Sequence, residues 1–159
     1  MKATINIVTK AAAWQKLAGA EAVARRAVEA TLQLEDVEEG EIAVMLADDA
    51  RVRKLNRDFR GIDKATNVLA FPGAKAPDDR APLGDIVLAY ETFAREAESE
   101  GKKAGDHLMH LVVHGTLHLL GYDHENEADA EKMEARERAI LAQLGVADPY
   151  RHENAGAAA

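Results

Sequence analysis

Residues 107–122, HLMHLVVHGTLHLLGY, are the longest run of this 159-residue chain without an aspartate, glutamate, lysine or arginine. The run is shorter than the roughly 20 apolar residues of a membrane span, and it holds four of the chain's six histidines, so it does not belong in lipid. His107, His110, His114 and His118 instead advance by three, four and four residues. At about 100° per residue they form one stripe roughly 80° wide on a helix. Gly121 then stops that helix. The chain must adopt a fold that presents a face of four imidazoles along one helix over 106–119.

The flanking sequence supplies the other elements. Alternation over 4–9 and 41–47 predicts strands, the second with Ile42, Val44 and Leu46 on one face. The alanine-rich stretch 11–34 places Trp14, Leu17, Ala24 and Val28 near helical spacing and reads as one helix. Asp48 and Asp49 can cap a helix in which Val52, Leu55 and Phe59 recur at i, i+3 and i+7, with Gly61 as its stop. Apolar runs at 66–71 and 85–90 read as buried strands separated by a loop rich in proline and aspartate. The pattern is helical from residue 91, broken at 101–105. It ends in a charged helix over 125–144 with Met133, Ile140, Leu141 and Leu144 as a sparse apolar face. The six acidic and three basic side chains between Glu125 and Arg138 read as solvated. This order predicts an α+β fold, a small mixed sheet of about four strands packed with about five helices, one of them a zinc-hydrolase-like histidine helix.

Composition narrows the chemistry. A hydrophobic content of 47% over this length can build one core without staples, so 1–153 is expected to be a single domain and 154–159 a disordered tail. There is no cysteine, hence no disulfide partner and no thiolate ligand; a transition-metal site must be made of His, Asp and Glu. No secretory pattern opens the chain, and a cytoplasmic protein with no membrane partner is expected. The net charge of -8 argues against non-specific adhesion to nucleic acid over the whole surface. Residues 51–64 nevertheless hold six basic and two acidic side chains.

Imidazoles four residues apart on a helix have Cβ atoms about 5 to 6 Å apart and can converge on one ion. Gly121 can turn the chain back, so that His124 returns beside His118. His110 lies about 12 Å along the axis from His118 at 1.5 Å per residue, too far to share its ion. The predicted ligands are therefore His114, His118 and His124, around one Zn2+. His107 and His110 are left to packing and hydrogen bonding. Three neutral imidazoles leave a fourth position open, the arrangement of catalytic zinc, where a water's pKa falls to about 7.

The spacing H-x-x-x-H-x-x-G-x-x-H is that of metzincin proteases, which carry a glutamate base after the first histidine; here that position is Gly115. Without the carboxylate, both generation of the nucleophile and protonation of an amine leaving group lose their agent. A phosphodiester asks instead for stabilisation of charge on non-bridging oxygens, which a metal and a guanidinium supply. Arg53, Arg57 and Arg60 fall within about 60° of one another on the helix before Gly61, a stripe able to hold a nucleic-acid backbone.

These segments resemble one family. HGTLHLLGYDH at 114–124 is similar to the HGxLHLxGYDH signature of the YbeY endoribonucleases, LNRDFRGIDKATNVLAFP at 55–72 to their LNxxYRxxDxxTDVLSFP segment, and PLGDIVLA at 82–89 to their LGDIxIS strand. The chain departs from the pattern at Phe59, often tyrosine, and at Ala70, where the family has serine; Asn67, in place of the pattern's aspartate, stays within what the family carries there. The resemblance implies a metal-dependent endoribonuclease specific for single strands. It would act in ribosomal RNA maturation, notably at the 3′ end of the small-subunit RNA, and in ribosome quality control, with RNA and the ribosomal small subunit or its proteins as partners. It implies His114, His118 and His124 as zinc ligands, with Arg60 assisting at the phosphate that a zinc-bound hydroxide attacks. Arg60 and His114 are then catalytic, Arg53, Arg57 and Arg60 the RNA-binding set, and Asp85 and Asp123 candidate outer partners of the ligands. A metallopeptidase-like hydrolase, or an assembly factor with a structural metal, are the competing readings.

Overall fold

The computed structural model describes residues 3–73 and 82–150. Strand β1 (Thr4–Thr9) leads through a 3-10 helix (Ala12–Lys16) to α1 (Ala20–Leu34), β2 (Glu41–Ala47) and α2 (Asp49–Arg60). Strands β3 (Val68–Pro72) and β4 (Pro82–Ala89) follow, then α3 (Tyr90–Ser99), α4 (Ala104–Leu119) and α5 (Glu127–Gln143). The strands form one mixed sheet in the order β1-β2-β4-β3. β1, β2 and β4 run parallel, and β3 pairs antiparallel with β4, leaving β3 as an edge. The fold is α+β, as expected.

Strand parity divides the interior. Ile42, Val44, Leu46, Ile86 and Leu88 point into a large core shared with α1, α4 and α5, while Val87 and Ala89 face a smaller one with Val52 of α2 and Leu69. Helix α4 is buried on several sides, with Leu108, Val112, Val113 and Leu117 fully enclosed. It can lie this close to the sheet because position 115 has no side chain. A Cβ on Gly115 would stand 3.1 Å from Cγ2 of Ile86, tighter than ordinary van der Waals contact. None of the helices among the described residues is long and apolar enough to cross a membrane.

Local signals set most boundaries. The Asp48 side chain accepts from Arg51 N at 2.9 Å to start α2, and Gly61, at φ 71°, stops it. Asn126 caps α5 by accepting from Asp129 N at 2.8 Å. The continuous helix expected over 11–34 is two pieces, split before Gly19 at φ 69°. The reason is Trp14: its indole N–H donates to the Ala47 carbonyl at 2.8 Å and its ring stacks on Phe93 at 4.8 Å. That interaction pulls the short helix down onto the end of β2. β4 begins three residues earlier than its apolar run suggests, and Tyr90 opens α3 rather than closing the strand. Most of the loop expected at 72–83, and the tail at 154–159, lie outside the described residues.

Candidate metal centre

His114 and His118 project from the last turns of α4, one helical turn apart. After the helix, Gly121 at φ 102° reverses the chain, and His124 comes back to the same spot. The ring centroids of His114 and His118 are 4.6 Å apart, those of His118 and His124 5.0 Å, and those of His114 and His124 5.6 Å. One ligand atom from each of the three lies within 4.8 Å of the others, a set that can hold a metal ion.

Hydrogen bonds determine which nitrogens are free. His118 Nδ1 is 3.0 Å from the Tyr122 carbonyl and His114 Nδ1 is 2.5 Å from Glu137 Oε1. A carbonyl and a carboxylate only accept, so both Nδ1 atoms carry the proton and both Nε2 atoms keep a lone pair. These two Nε2 atoms face each other at 3.1 Å. Two lone pairs so placed repel unless a cation sits between them, and nitrogens about 2.0 to 2.1 Å from one tetrahedral ion stand roughly 3.3 Å apart. The donor set therefore fits a divalent transition metal. Burial, and then the neighbouring His114 and His124, push the His118 pKa down, which favours the neutral ligand form.

Glu137 is the functional residue that the sequence reading missed. Its place in the chain suggests the solvated face of the last helix, yet it is fully buried. Its carboxylate accepts from His114 Nδ1, from His110 Nε2 at 3.0 Å and from the Tyr150 hydroxyl at 2.5 Å. Burial alone would raise its pKa; the hydrogen bonds from His110 and His114 outweigh that and hold it at about 2. Tyr150 is pushed up from the usual tyrosine range, by burial and by the same carboxylate. A signal was present: Glu137 lies four residues after Met133 and three before Ile140, in phase with the apolar stripe.

The histidines open into a cleft of about 750 Å³, bounded by α4, the 121–125 turn, β3 and the end of α2. Arg60 enters it from α2. Its Nη2 donates to the Ala70 carbonyl of β3 at 3.1 Å, and its guanidinium carbon lies 5.7 Å from the Phe71 ring centroid. Gly115 lines the floor. Comparison with known sequences decides what this arrangement belongs to: the profile of the family described as Endoribonuclease YbeY matches residues 6–145. The chain belongs to the YbeY family.

Full-length relatives agree with that membership. Endoribonuclease YbeY of Rhodopseudomonas palustris strain BisA53 is 57% identical over 153 residues, covering 91% of this chain and 88% of that protein. The Endoribonuclease YbeY of Bradyrhizobium diazoefficiens is 54% identical over 153 residues, covering 91% and 84%. The solution structure of TM1509 from Thermotoga maritima shares the fold at a TM-score of 0.54, with 23% identity over 89% of this chain and 91% of that one.

Against the YbeY-family pattern, the expected site residues separate into those at the cleft and those elsewhere. His114, His118, His124 and Arg60 line it together, and so does Asp123, whose Oδ1 accepts from His124 N at 2.7 Å and shapes the turn. Arg53 is held on the surface by Asp63 through two bonds of 2.8 and 3.1 Å, and Arg57 lies 3.4 Å from Asp58; neither lines the cleft. Asp85 is not brought to the histidines. It is exposed on β4, paired in register with Ala43 and Phe71, on the sheet face that α2 covers. His107 and His110 hydrogen-bond as expected: His107 Nε2 meets Glu96 Oε1 at 3.0 Å, and Glu96 also accepts from Asn67 Nδ2 at 3.0 Å.

Proposed function

We propose that this chain is a metal-dependent endoribonuclease of the cytoplasm, a single hydrolase domain over 1–153 that cleaves single-stranded RNA in ribosomal RNA maturation and quality control. The small-subunit RNA 3′ end is its target in this reading, and the ribosomal small subunit its setting. One observation carries it: three imidazoles converge on one point, the lone pairs of His114 and His118 free, beside a guanidinium and with no carboxylate able to reach in at Gly115. The relatives' name, Endoribonuclease YbeY, supports the RNA substrate.

His114, His118 and His124 would hold Zn2+. The bound ion would supply Lewis acidity and lower the pKa of a coordinated water. The protein's own groups do the rest. The Glu137 carboxylate keeps the His114 proton on Nδ1, and the Tyr122 carbonyl does the same for His118, so both rings stay aimed. Arg60 binds the scissile phosphate and stabilises charge that develops on its non-bridging oxygens. Its bond to the Ala70 carbonyl and its contact with Phe71 hold the guanidinium at the cleft rim. That bond also occupies the edge of β3, where an extended peptide would have to pair, which weighs against the peptidase reading.

The test is cleavage by metal-loaded protein and by His114→Ala, offered structured ribosomal RNA, a single-stranded oligonucleotide and casein. Metal-dependent cutting of the RNAs by the wild type alone is expected. Cutting of casein but not RNA would overturn the reading, and RNA binding without metal-dependent cleavage would favour the assembly factor.

A further inference from the structure

The cleft has an aromatic neighbour that the metal centre does not use. Phe59, next to the end of α2, is 71% exposed, more than any other large apolar side chain among the described residues. Its ring meets Phe71 edge-on, with centroids 5.7 Å apart and 61° between planes. Together they open on an apolar groove of about 600 Å³ that also takes in Met45, Leu55 and Pro72. Pro72 borders both this groove and the metal cleft, and Arg60 lines the cleft while touching the Phe71 ring. The groove thus borders the cleft at Pro72.

The mixed chemistry indicates what fits. A purely apolar partner would meet a guanidinium on the rim, and a simple anion would have no use for two phenyl rings. A nucleotide has both parts, a flat π face and a phosphate beside it. Since Phe59 and Arg60 both reach the Phe71 ring, both parts can be held at once. We propose that Phe59, backed by Phe71, is a stacking platform for an unpaired base adjacent to the phosphate that Arg60 holds. This rests on the RNA reading above and adds a source of strand selectivity: a base inside a duplex has both faces covered by its neighbours, whereas a single-stranded base can leave its stack for an aromatic side chain.

The test compares wild type, Phe59→Leu and Phe59→Tyr on a labelled single-stranded oligoribonucleotide, on a series of the same oligonucleotide with one abasic position each, and on a duplex. Phe59→Leu keeps an apolar side chain without the ring. It is expected to raise KM by about five- to tenfold at unchanged kcat, the low end of what base–aromatic stacking contributes, while Phe59→Tyr behaves as wild type. One abasic position should abolish the difference between wild type and Phe59→Leu. Equal KM for both on intact RNA cleaved by the wild type would overturn the platform and leave the nuclease reading standing. A loss that persists at every abasic position, or a lowered melting temperature with unchanged KM, would assign Phe59 to packing and also overturn it. Unchanged KM with loss of self-association in sedimentation would assign the patch to a second copy of the chain. Failure of the wild type on every RNA would overturn the nuclease reading and the platform with it.

Discussion

Glu137→Gln isolates the contribution of one buried charge. The carboxylate has two oxygens and three donors: Oε1 takes His114 Nδ1, and Oε2 takes His110 Nε2 and the Tyr150 hydroxyl. Glutamine can keep its carbonyl on His114 and turn its amide toward the other two. Tyr150 can then accept, and His110 can move its proton to Nδ1, which is buried without a hydrogen-bond partner. Geometry survives, and charge does not. Replacing charge-assisted bonds by neutral ones costs about 1 kcal/mol each, so the variant should lose about 2 to 3 kcal/mol of stability at neutral pH. The pKa gives a similar figure. A shift from 4.5 to about 2 at about 1.4 kcal/mol per unit is roughly 3.5 kcal/mol, present above pH 4.5 and lost as pH falls through about 2. Urea denaturation from pH 7 down to pH 3 should therefore show wild-type stability falling below pH 4.5 more steeply than that of the variant. Zinc affinity, measured by competition with a chromophoric chelator, should drop about tenfold for Glu137→Gln and nearer 100-fold for Glu137→Ala, which leaves His114 unoriented. If both variants bind zinc as tightly as wild type, and the nitrogen spectrum still shows the His114 proton on Nδ1, Glu137 does not orient the ligand.

Other outcomes follow from the same geometry. Gly115→Ala gains about 1 kcal/mol of helix propensity but presses on Ile86 at 3.1 Å, so its melting temperature should stay level or fall slightly; Gly115→Glu should fall by several degrees and gain no casein cleavage. Arg60→Lys keeps the charge but loses the planar fork, and should cut RNA kcat about tenfold or more with little change in melting temperature, since Arg60 is exposed. Chelation should lower the melting temperature of the wild type, reflecting about 2.7 kcal/mol at a metal concentration 100 times Kd, while His124→Ala should melt at one temperature with or without zinc.

What could be read from the sequence was what is local. The spacing of His114 and His118, the turn at Gly121 and the caps at Asp48 and Gly61 each depend on a few consecutive residues, and the structure has them where the spacing placed them. Trp14 broke the expected helix because its partner, the Ala47 carbonyl, is 33 residues away. Asp85 was misleading for a different reason. Four of the residues that follow it, IVLA, are buried, two toward each face, so the apolar run concealed the parity that turns Asp85 away from the histidines. Glu137 needs partners from α4 and from beyond α5, and only the phase of its own helix hinted at burial. Helix spacing alone did not separate Arg60 from Arg53 and Arg57; the family resemblance singled it out, and β3 is what receives it.

The close approach of α4 to β4 also bears on how this chemistry can change over generations. In a site with open space after the first histidine, one codon change could install a carboxylate and test a new substrate. Here that change presses a side chain on Ile86, in a core position that is fully enclosed, and overpacking of that kind costs about 1 to 3 kcal/mol. A lineage carrying this packing meets a stability cost at the first step toward a glutamate base. Its commitment to substrates that do without one is therefore held in place by the core as much as by the catalytic residues.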